Sequence, residues 1–188
     1  IAGIPGDVFI KDWLNDEQLN RIRLAKEFVK FNERSFVRLL GDMRSYNYVV
    51  DITPDFDDIQ YRIRAIDFDQ QCYEGAKTMY LPQFFKDNNP IVEFCSNLLN
   101  PETIRQYQRE ERAMIANRIK VSRYRLKDLS DALEIDEISP PDKVERLKSE
   151  LAEHFQDPSF LDCETMGEIL RTRLFILLYN NKDILDQE

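Results

Sequence analysis

His154 is the only histidine among the 188 residues of the chain. Mechanisms that depend on Ser-His or Cys-His pairs, and metal sites built from several histidines, are therefore excluded. Carboxylate and amide groups remain, and phosphoryl transfer is a reaction that can run on these groups together with Mg²⁺. We expect the functional site to lie around the carboxylates of Asp42 and Asp67 and the amide of Asn47.

A helix, a loop and two strands are expected to position these three side chains. Asn15 and Gln18 have the spacing of a capping box, and apolar residues then recur with a helical period, which predicts a helix over residues 16–36. The polar segment 41–47 follows as a loop. Residues 48–52 and 59–68 have the pattern of strands, with turn-forming residues between them. An antiparallel hairpin would make Asn47 and Asp67 neighbours.

The rest of the chain has a helical pattern beyond Gly75. We expect helices near residues 91–98, from Asn100 onward, after Ser139, and over 164–180, where the apolar run LFILLY predicts a buried helix too short to span a bilayer. The fold class is predicted as α+β and predominantly α. We expect one domain, with a connector over 1–14, the helix, loop and hairpin over 15–75, and a helical subdomain over 76–188.

The loop resembles the catalytic loop of protein kinases and of aminoglycoside-phosphotransferase-like enzymes, in which an Asn follows an Asp by five positions. Its sequence is Gly41-Asp42-Met43-Arg44-Ser45-Tyr46-Asn47. The end of the second strand, Ile66-Asp67-Phe68-Asp69, is similar to the Asp-Phe-Gly metal-binding segment. Asp69 in place of Gly favours the aminoglycoside branch. The resemblance covers residues 16–69 and implies the helical C-terminal lobe of a kinase-like fold, whose hairpin carries the metal site.

This resemblance also implies a role for each residue of the motif. Asp42 would orient the attacking hydroxyl or accept its proton, and Arg44 would neutralise charge on the transferred phosphoryl group. Asn47 and Asp67 would hold Mg²⁺ against the phosphates of ATP, with Asp69 as a further metal ligand. The implied partners are the nucleotide and an unidentified hydroxyl substrate.

The chain contains no Gly-rich phosphate loop and no strand lysine paired with a helix glutamate, so we expect that the N-terminal lobe of the superfamily is absent. The first hypothesis is an Mg²⁺-dependent, ATP-using phosphotransferase whose missing lobe lies in a longer parent or a separate chain. The alternative is a non-catalytic, pseudokinase-like interaction module that binds a protein partner. A third hypothesis is a metal-dependent phosphodiesterase that uses Asp55, Asp67 and Asp69.

Composition limits the cellular location and the classes of partner that we expect. A formal net charge of −9 argues against binding to nucleic acid or to an anionic membrane surface, because both need clustered cations. The sequence has no membrane-span or signal-peptide pattern, which favours the cytoplasm. Three cysteines without metal-ligand spacing predict reduced, packed thiols at Cys72, Cys95 and Cys163.

Three other groups of residues have both a functional and a structural interpretation. The acidic residues Asp51, Asp55, Asp57 and Asp58 suggest calcium, but their spacing is not that of an EF-hand, so a solvated hairpin tip is favoured. The basic residues of segment 118–127 are expected to be spread around a solvated helix rather than to grip a phosphate-bearing partner. The aromatic residues Tyr80, Phe84, Phe85 and Phe94 are expected in the core rather than in a binding groove.

Overall fold

The computed structural model describes residues 1–135 and 137–186. Helices make up most of this part of the chain, and three strands form one antiparallel sheet in which they lie side by side in chain order. The fold is therefore α+β and predominantly α, as predicted. The strands are β1 (Ile4–Pro5), β2 (Tyr48–Asp55) and β3 (Asp58–Ala65). The helices are α1 (Gly6–Asp12), α2 (Arg21–Val37), α3 (Asn89–Leu98), α4 (Pro101–Val121), α5 (Arg123–Glu134), α6 (Pro141–Phe155), α7 (Met166–Asn180) and α8 (Lys182–Leu185).

Helix α2 is the long helix that the apolar period predicts, but it begins at Arg21 rather than at residue 16. Asn20 caps it, because its side chain accepts a hydrogen bond from the Arg23 amide at 3.2 Å. The predicted cap at Asn15 is wrong. The carboxylate of Asp16 accepts a hydrogen bond from the Gln18 amide at 2.8 Å, which closes a turn before the helix begins.

The predicted hairpin is confirmed. Strands β2 and β3 are antiparallel, with Tyr48 opposite Ala65 at the open end and Asp55 opposite Asp58 at the turn. The second strand ends at Ala65, so the segment from Ile66 to Asp69 lies in a loop rather than in the strand as expected. This difference leaves the Asp67 side chain on irregular backbone, just beyond the last strand pair.

Residues 1–14 contain β1 and α1 rather than the predicted connector. Ile4 lies opposite Val50, so β1 adds a third strand beside β2. In α1, the ring of Phe9 is fully buried, 6.3 Å from the stacked ring of Trp13. A strand of two residues that includes a proline gives no alternating pattern, and so the sequence does not reveal it.

Helix α2 lies between the main apolar clusters of the core. One cluster joins it to the sheet, α1 and α3. A second cluster joins its C-terminal end to α6 and α7 through Phe36 and Leu39. Helix α4 is tied to α2 by an ion pair of 2.8 Å between Arg112 and Glu33. The residues that follow α2 are therefore fixed from several sides, and these are the residues of the predicted functional loop.

Helix α7 differs from the expected buried helix in part. Leu177 is buried, whereas Phe175 and Tyr179 from the same apolar run are 57% and 79% exposed. In the described parts of the chain, no helix has both the length and the apolar character that a membrane crossing requires.

Candidate active site

The loop that follows α2 has a constrained backbone. Leu39 and Asp42 have φ angles of 50° and 57°, in the left-handed region that costs non-glycine residues energy. Gly41 lies so close to the neighbouring chain that a Cβ atom there would be 2.5 Å from the carbonyl oxygen of Gln70. A glycine is therefore required at position 41, and the close contact fixes Asp42 relative to the segment that follows Asp67.

Asp42, Arg44 and Asn47 meet in this loop. Nε of Arg44 donates to Oδ1 of Asp42 at 2.8 Å. Nδ2 of Asn47 donates to the backbone oxygen of Asp42 at 2.7 Å and to its Oδ2 at 3.3 Å. The hydrogen bond to Asp42 raises the pKa of Arg44 above its ordinary value. The structure thus brings together three of the predicted site residues, with the Asp42 carboxylate held between a cation and an amide.

Asp67 is held near this loop by backbone contacts on both sides of it. On one side, the Ile66 amide donates to the carbonyl oxygen of Asn47 at 3.1 Å. On the other, Gln71 forms an antiparallel bridge with Leu40, and the Cys72 amide donates to the Leu39 oxygen at 2.9 Å. The segment that carries Asp67 is therefore attached to the chain just before Asp42 and just after it.

The side chains of Asp67 and Asp69 differ in their surroundings. Asp67 is half-buried, and its Oδ1 accepts a hydrogen bond from the Asp69 amide at 3.0 Å. Asp69 is exposed. Because Oδ1 of Asp67 is already engaged in this turn, Oδ2 is its free oxygen for a ligand.

Asn47 and Asp67 each keep one side-chain oxygen that accepts no hydrogen bond among the described residues, and these oxygens are the candidate ligands for a divalent cation. The NH₂ group of Asn47 donates to Asp42, so its oxygen faces away from that contact and is available to a cation. Over residues 1–135 and 137–186, no group of three or more His, Cys, Asp or Glu residues could hold a metal ion. The predicted set of Asn47, Asp67 and Asp69 contains an amide and two carboxylates, and it stays a prediction.

Asp87 and Asn88 support the loop, a role that no sequence pattern indicates. Oδ2 of Asp87 accepts hydrogen bonds from the Ser45 amide at 2.5 Å and from the Ser45 hydroxyl at 2.6 Å. Asn88 is fully buried and donates to the backbone oxygen of Met43 at 3.0 Å. Its Oδ1 accepts a hydrogen bond from the Tyr48 hydroxyl at 2.8 Å. The loop is thus fixed by side chains from about forty residues further along the chain.

The acidic residues of the hairpin have separate partners. Asp51 pairs with Arg64 at 3.1 Å, and Asp58 pairs with Arg23 at 2.8 Å. Because no group of three acidic or other metal-binding side chains forms in the described residues, both the calcium interpretation and the phosphodiesterase built on Asp55, Asp67 and Asp69 are wrong.

The structure agrees with the structural interpretations of the basic segment and of the cysteines, and with that of the aromatic residues at all positions but one. Arg123, Arg125 and Lys127 of the basic segment are exposed. The thiols of the three cysteines are free and buried. Of the four aromatic residues assigned to the core, Tyr80, Phe85 and Phe94 are buried, whereas Phe84 is 58% exposed.

No protein-family model, curated protein sequence or solved structure matches this chain. The kinase-like character of the loop and of the Asp67 segment therefore stays a prediction from their residues and contacts.

Proposed function

We propose that the chain is the catalytic half of an Mg²⁺-dependent phosphotransferase that uses ATP and acts on a hydroxyl group. The observation that carries this proposal is the arrangement around Asp42. Its backbone oxygen and its carboxylate are both bound by Asn47, while the carbonyl oxygen of Asn47 accepts from the residue before Asp67. Asp42 would accept the proton of the acceptor hydroxyl, and Asn47 and Asp67 would each supply one oxygen to the cation. Hydrogen bonds thus connect the short segments that carry these three residues.

Each of these residues has a separate part in the proposed reaction. Mg²⁺, when bound, offsets the charge of the nucleotide phosphates and orients them. Asn47 and Asp67 bind that cation through one oxygen each, and Asp42 orients the acceptor hydroxyl. Arg44 is 43% exposed at its side chain, so it can turn from Asp42 toward an incoming phosphoryl group at small cost. The cytoplasm, where ATP and Mg²⁺ are abundant, is the proposed location.

A protein-interaction module remains the second candidate function because of the apolar residues that flank Asp67. Ile66 is 50% exposed and Phe68 is 47% exposed. Two neighbouring apolar side chains with this exposure form a surface that a protein partner would cover. In this case the hydrogen bonds around Asp42 would only stabilise the fold.

A paramagnetic cation distinguishes the two functions. Mn²⁺ takes oxygen ligands as Mg²⁺ does, and it broadens the NMR signals of nearby nuclei. We expect Mn²⁺ with ATP to broaden the amide signals of Asn47 and Asp67 first, and Asp67→Asn to weaken this effect at least about tenfold. Asp57→Asn is the matched control, since Asp57 is an exposed acid at the hairpin turn.

Three outcomes decide the matter. Broadening centred on the hairpin turn, or equal effects of the two substitutions, would contradict the proposed cation site. Asp42→Asn should leave the broadening intact but lower phosphoryl transfer by the full-length protein about a hundredfold or more. If the full-length protein without any substitution transfers no phosphate, and its Asn47 and Asp67 signals stay sharp with Mn²⁺ and ATP, the interaction module is the correct function.

A further inference from the structure

A cavity of about 240 Å³ lies between α2 and β3, next to the candidate active site. Its lining includes Arg34 and Ser35 from α2, Arg38 directly after that helix, and Arg62 and Arg64 from β3. Four guanidinium groups around one cavity are unexpected in a chain whose formal net charge is −9. They concentrate positive charge at a single place on an acidic protein.

Two of these arginines are neutralised within the protein and two are not. Arg34 pairs with Glu27 and lies 3.5 Å from Glu111, and Arg64 pairs with Asp51 at 3.1 Å. Within the described part of the chain, the guanidinium groups of Arg38 and Arg62 form neither an ion pair nor a hydrogen bond. The cavity therefore has an excess of positive charge that comes from Arg38 and Arg62.

The electrostatic surroundings of Arg38 and Arg62 agree with this excess of positive charge. Loss of solvent around the parts of the two side chains that line the cavity lowers the pKa of both groups, and the nearby charges of Arg34 and Arg118 lower it further. Glu27 and Glu111 act on Arg62 in the opposite direction, but burial has the larger effect. Both side chains remain cations at neutral pH, and a bound anion would relieve the repulsion between them.

Arg34 and Ser35 form the inner part of this lining, and both residues are buried. Nη1 of Arg34 faces Oε1 of Glu111 at 3.5 Å, and the Ser35 hydroxyl is closed off from solvent, so neither group is open to a ligand. The groups that a molecule entering the cavity can reach are therefore the guanidinium groups of Arg38 and Arg62.

We propose that this cavity binds a small oxyanion of the phosphate class, either inorganic phosphate or a phosphomonoester. A tetrahedral phosphate has several oxygens, which can accept from the guanidinium groups of Arg38 and Arg62 at once. The volume is below the usual range of about 300 to 1,000 Å³ for cofactor pockets, which fits one phosphate group better than a nucleotide.

A small anion fits this cavity better than an acidic protein segment does. The cavity of about 240 Å³ has room for a small molecule, whereas a protein segment lying across it would contact only the exposed ends of Arg38 and Arg62. This site does not depend on the proposed phosphotransferase function, since neither Asp42 nor Asp67 lines it.

A phosphate titration at constant ionic strength tests the proposal. We expect saturable shifts of the arginine Nε signals and the Ser35 amide signal in NMR spectra of the chain, beyond those that chloride causes. The double variant Arg38→Ala/Arg62→Ala should bind phosphate about tenfold more weakly or worse, because it loses charge-assisted hydrogen bonds. Both side chains are exposed, so the variant should fold.

A matched variant and two further probes complete the experiment. Arg105→Ala/Arg109→Ala removes the same charge from exposed positions on α4 and should leave phosphate affinity unchanged. Tighter binding of phenyl phosphate than of inorganic phosphate would assign the site to phosphomonoesters, and the reverse would assign it to free phosphate. The proposal is overturned if phosphate causes no saturable shift, if the control variant loses as much affinity, or if a polyglutamate peptide binds more tightly than either phosphate.

Discussion

Asn88→Ala should destabilise the protein strongly, because one buried side chain holds three parts of the chain together. Nδ2 of Asn88 donates to the backbone oxygen of Met43 at 3.0 Å and to that of Pro82 at 2.9 Å. Oδ1 accepts from the hydroxyl of Tyr48 at 2.8 Å. Removing the amide leaves these three partner groups without their hydrogen bonds to Asn88, at a site with no solvent exposure.

The magnitude follows from the cost of each unpaired group. A buried polar group without a partner costs about 1 to 3 kcal/mol. Three such groups would cost roughly 3 to 9 kcal/mol, and water that enters the vacated space offsets part of this. We therefore expect the free energy of unfolding to fall by about 4 kcal/mol. A domain of this size is stable by about 5 to 15 kcal/mol, so the variant should still fold.

Urea denaturation followed by the fluorescence of Trp13 measures this change. With a denaturant slope of about 2 kcal/mol per molar urea, the midpoint should fall by about 2 M. Asn89→Ala is the matched control, since this neighbouring asparagine is exposed and should change the midpoint little. A loss below about 1 kcal/mol for Asn88→Ala, or equal losses for both variants, would refute the assignment of Asn88 as the anchor of the loop.

Three further predictions concern charged and titratable groups. Glu27→Leu should lower the free energy of unfolding by about 3 to 5 kcal/mol in urea denaturation, because Arg34 and the Ile63 amide lose their shared partner. Burial raises the pKa of Cys72 and Cys95 to about 12, so native protein at pH 8 should react with a thiol reagent only after unfolding. Burial, Lys77 and Arg173 lower the pKa of His154, so its NMR titration midpoint should lie below 6.5. Because only the unfolded state readily takes up that proton, stability should fall as the pH drops below about 6.5, and His154→Gln should remove this dependence.

The elements that rest on local pattern were predictable from the sequence. The alternation in β3 and the turn residues before it gave the hairpin, and the Asn100-Pro101 pair gave the start of α4. Asn100 caps that helix by accepting from the Thr103 amide at 2.8 Å. The meeting of Asp42, Arg44 and Asn47 was also predictable, because these residues are only five positions apart in one loop.

The features that the sequence did not reveal depend on distant contacts. Asn15 and Asn20 both have a residue type that caps helices, and only the turn at Asp16 decides between them. Asn88 resembles any polar residue before a helix until Tyr48 is seen to reach it from forty positions away. The cavity lined by arginines arises because α2 lies along β3. The apolar period of each segment predicts its secondary structure but not the segment against which it packs.

Contacts between α2 and the outer edge of β3 explain how the candidate site keeps its geometry. β3 is an edge strand, so the outward backbone groups of Ile63 have no strand partner among the described residues. Oε1 of Glu27 accepts from the Ile63 amide at 3.0 Å, and Nη2 of Arg34 donates to the Ile63 oxygen at 2.9 Å. This buried ion pair thus satisfies the two backbone groups that a fourth strand would otherwise pair. Because β3 leads directly into Asp67 and α2 leads directly into Asp42, the same ion pair sets the position of one candidate carboxylate relative to the other.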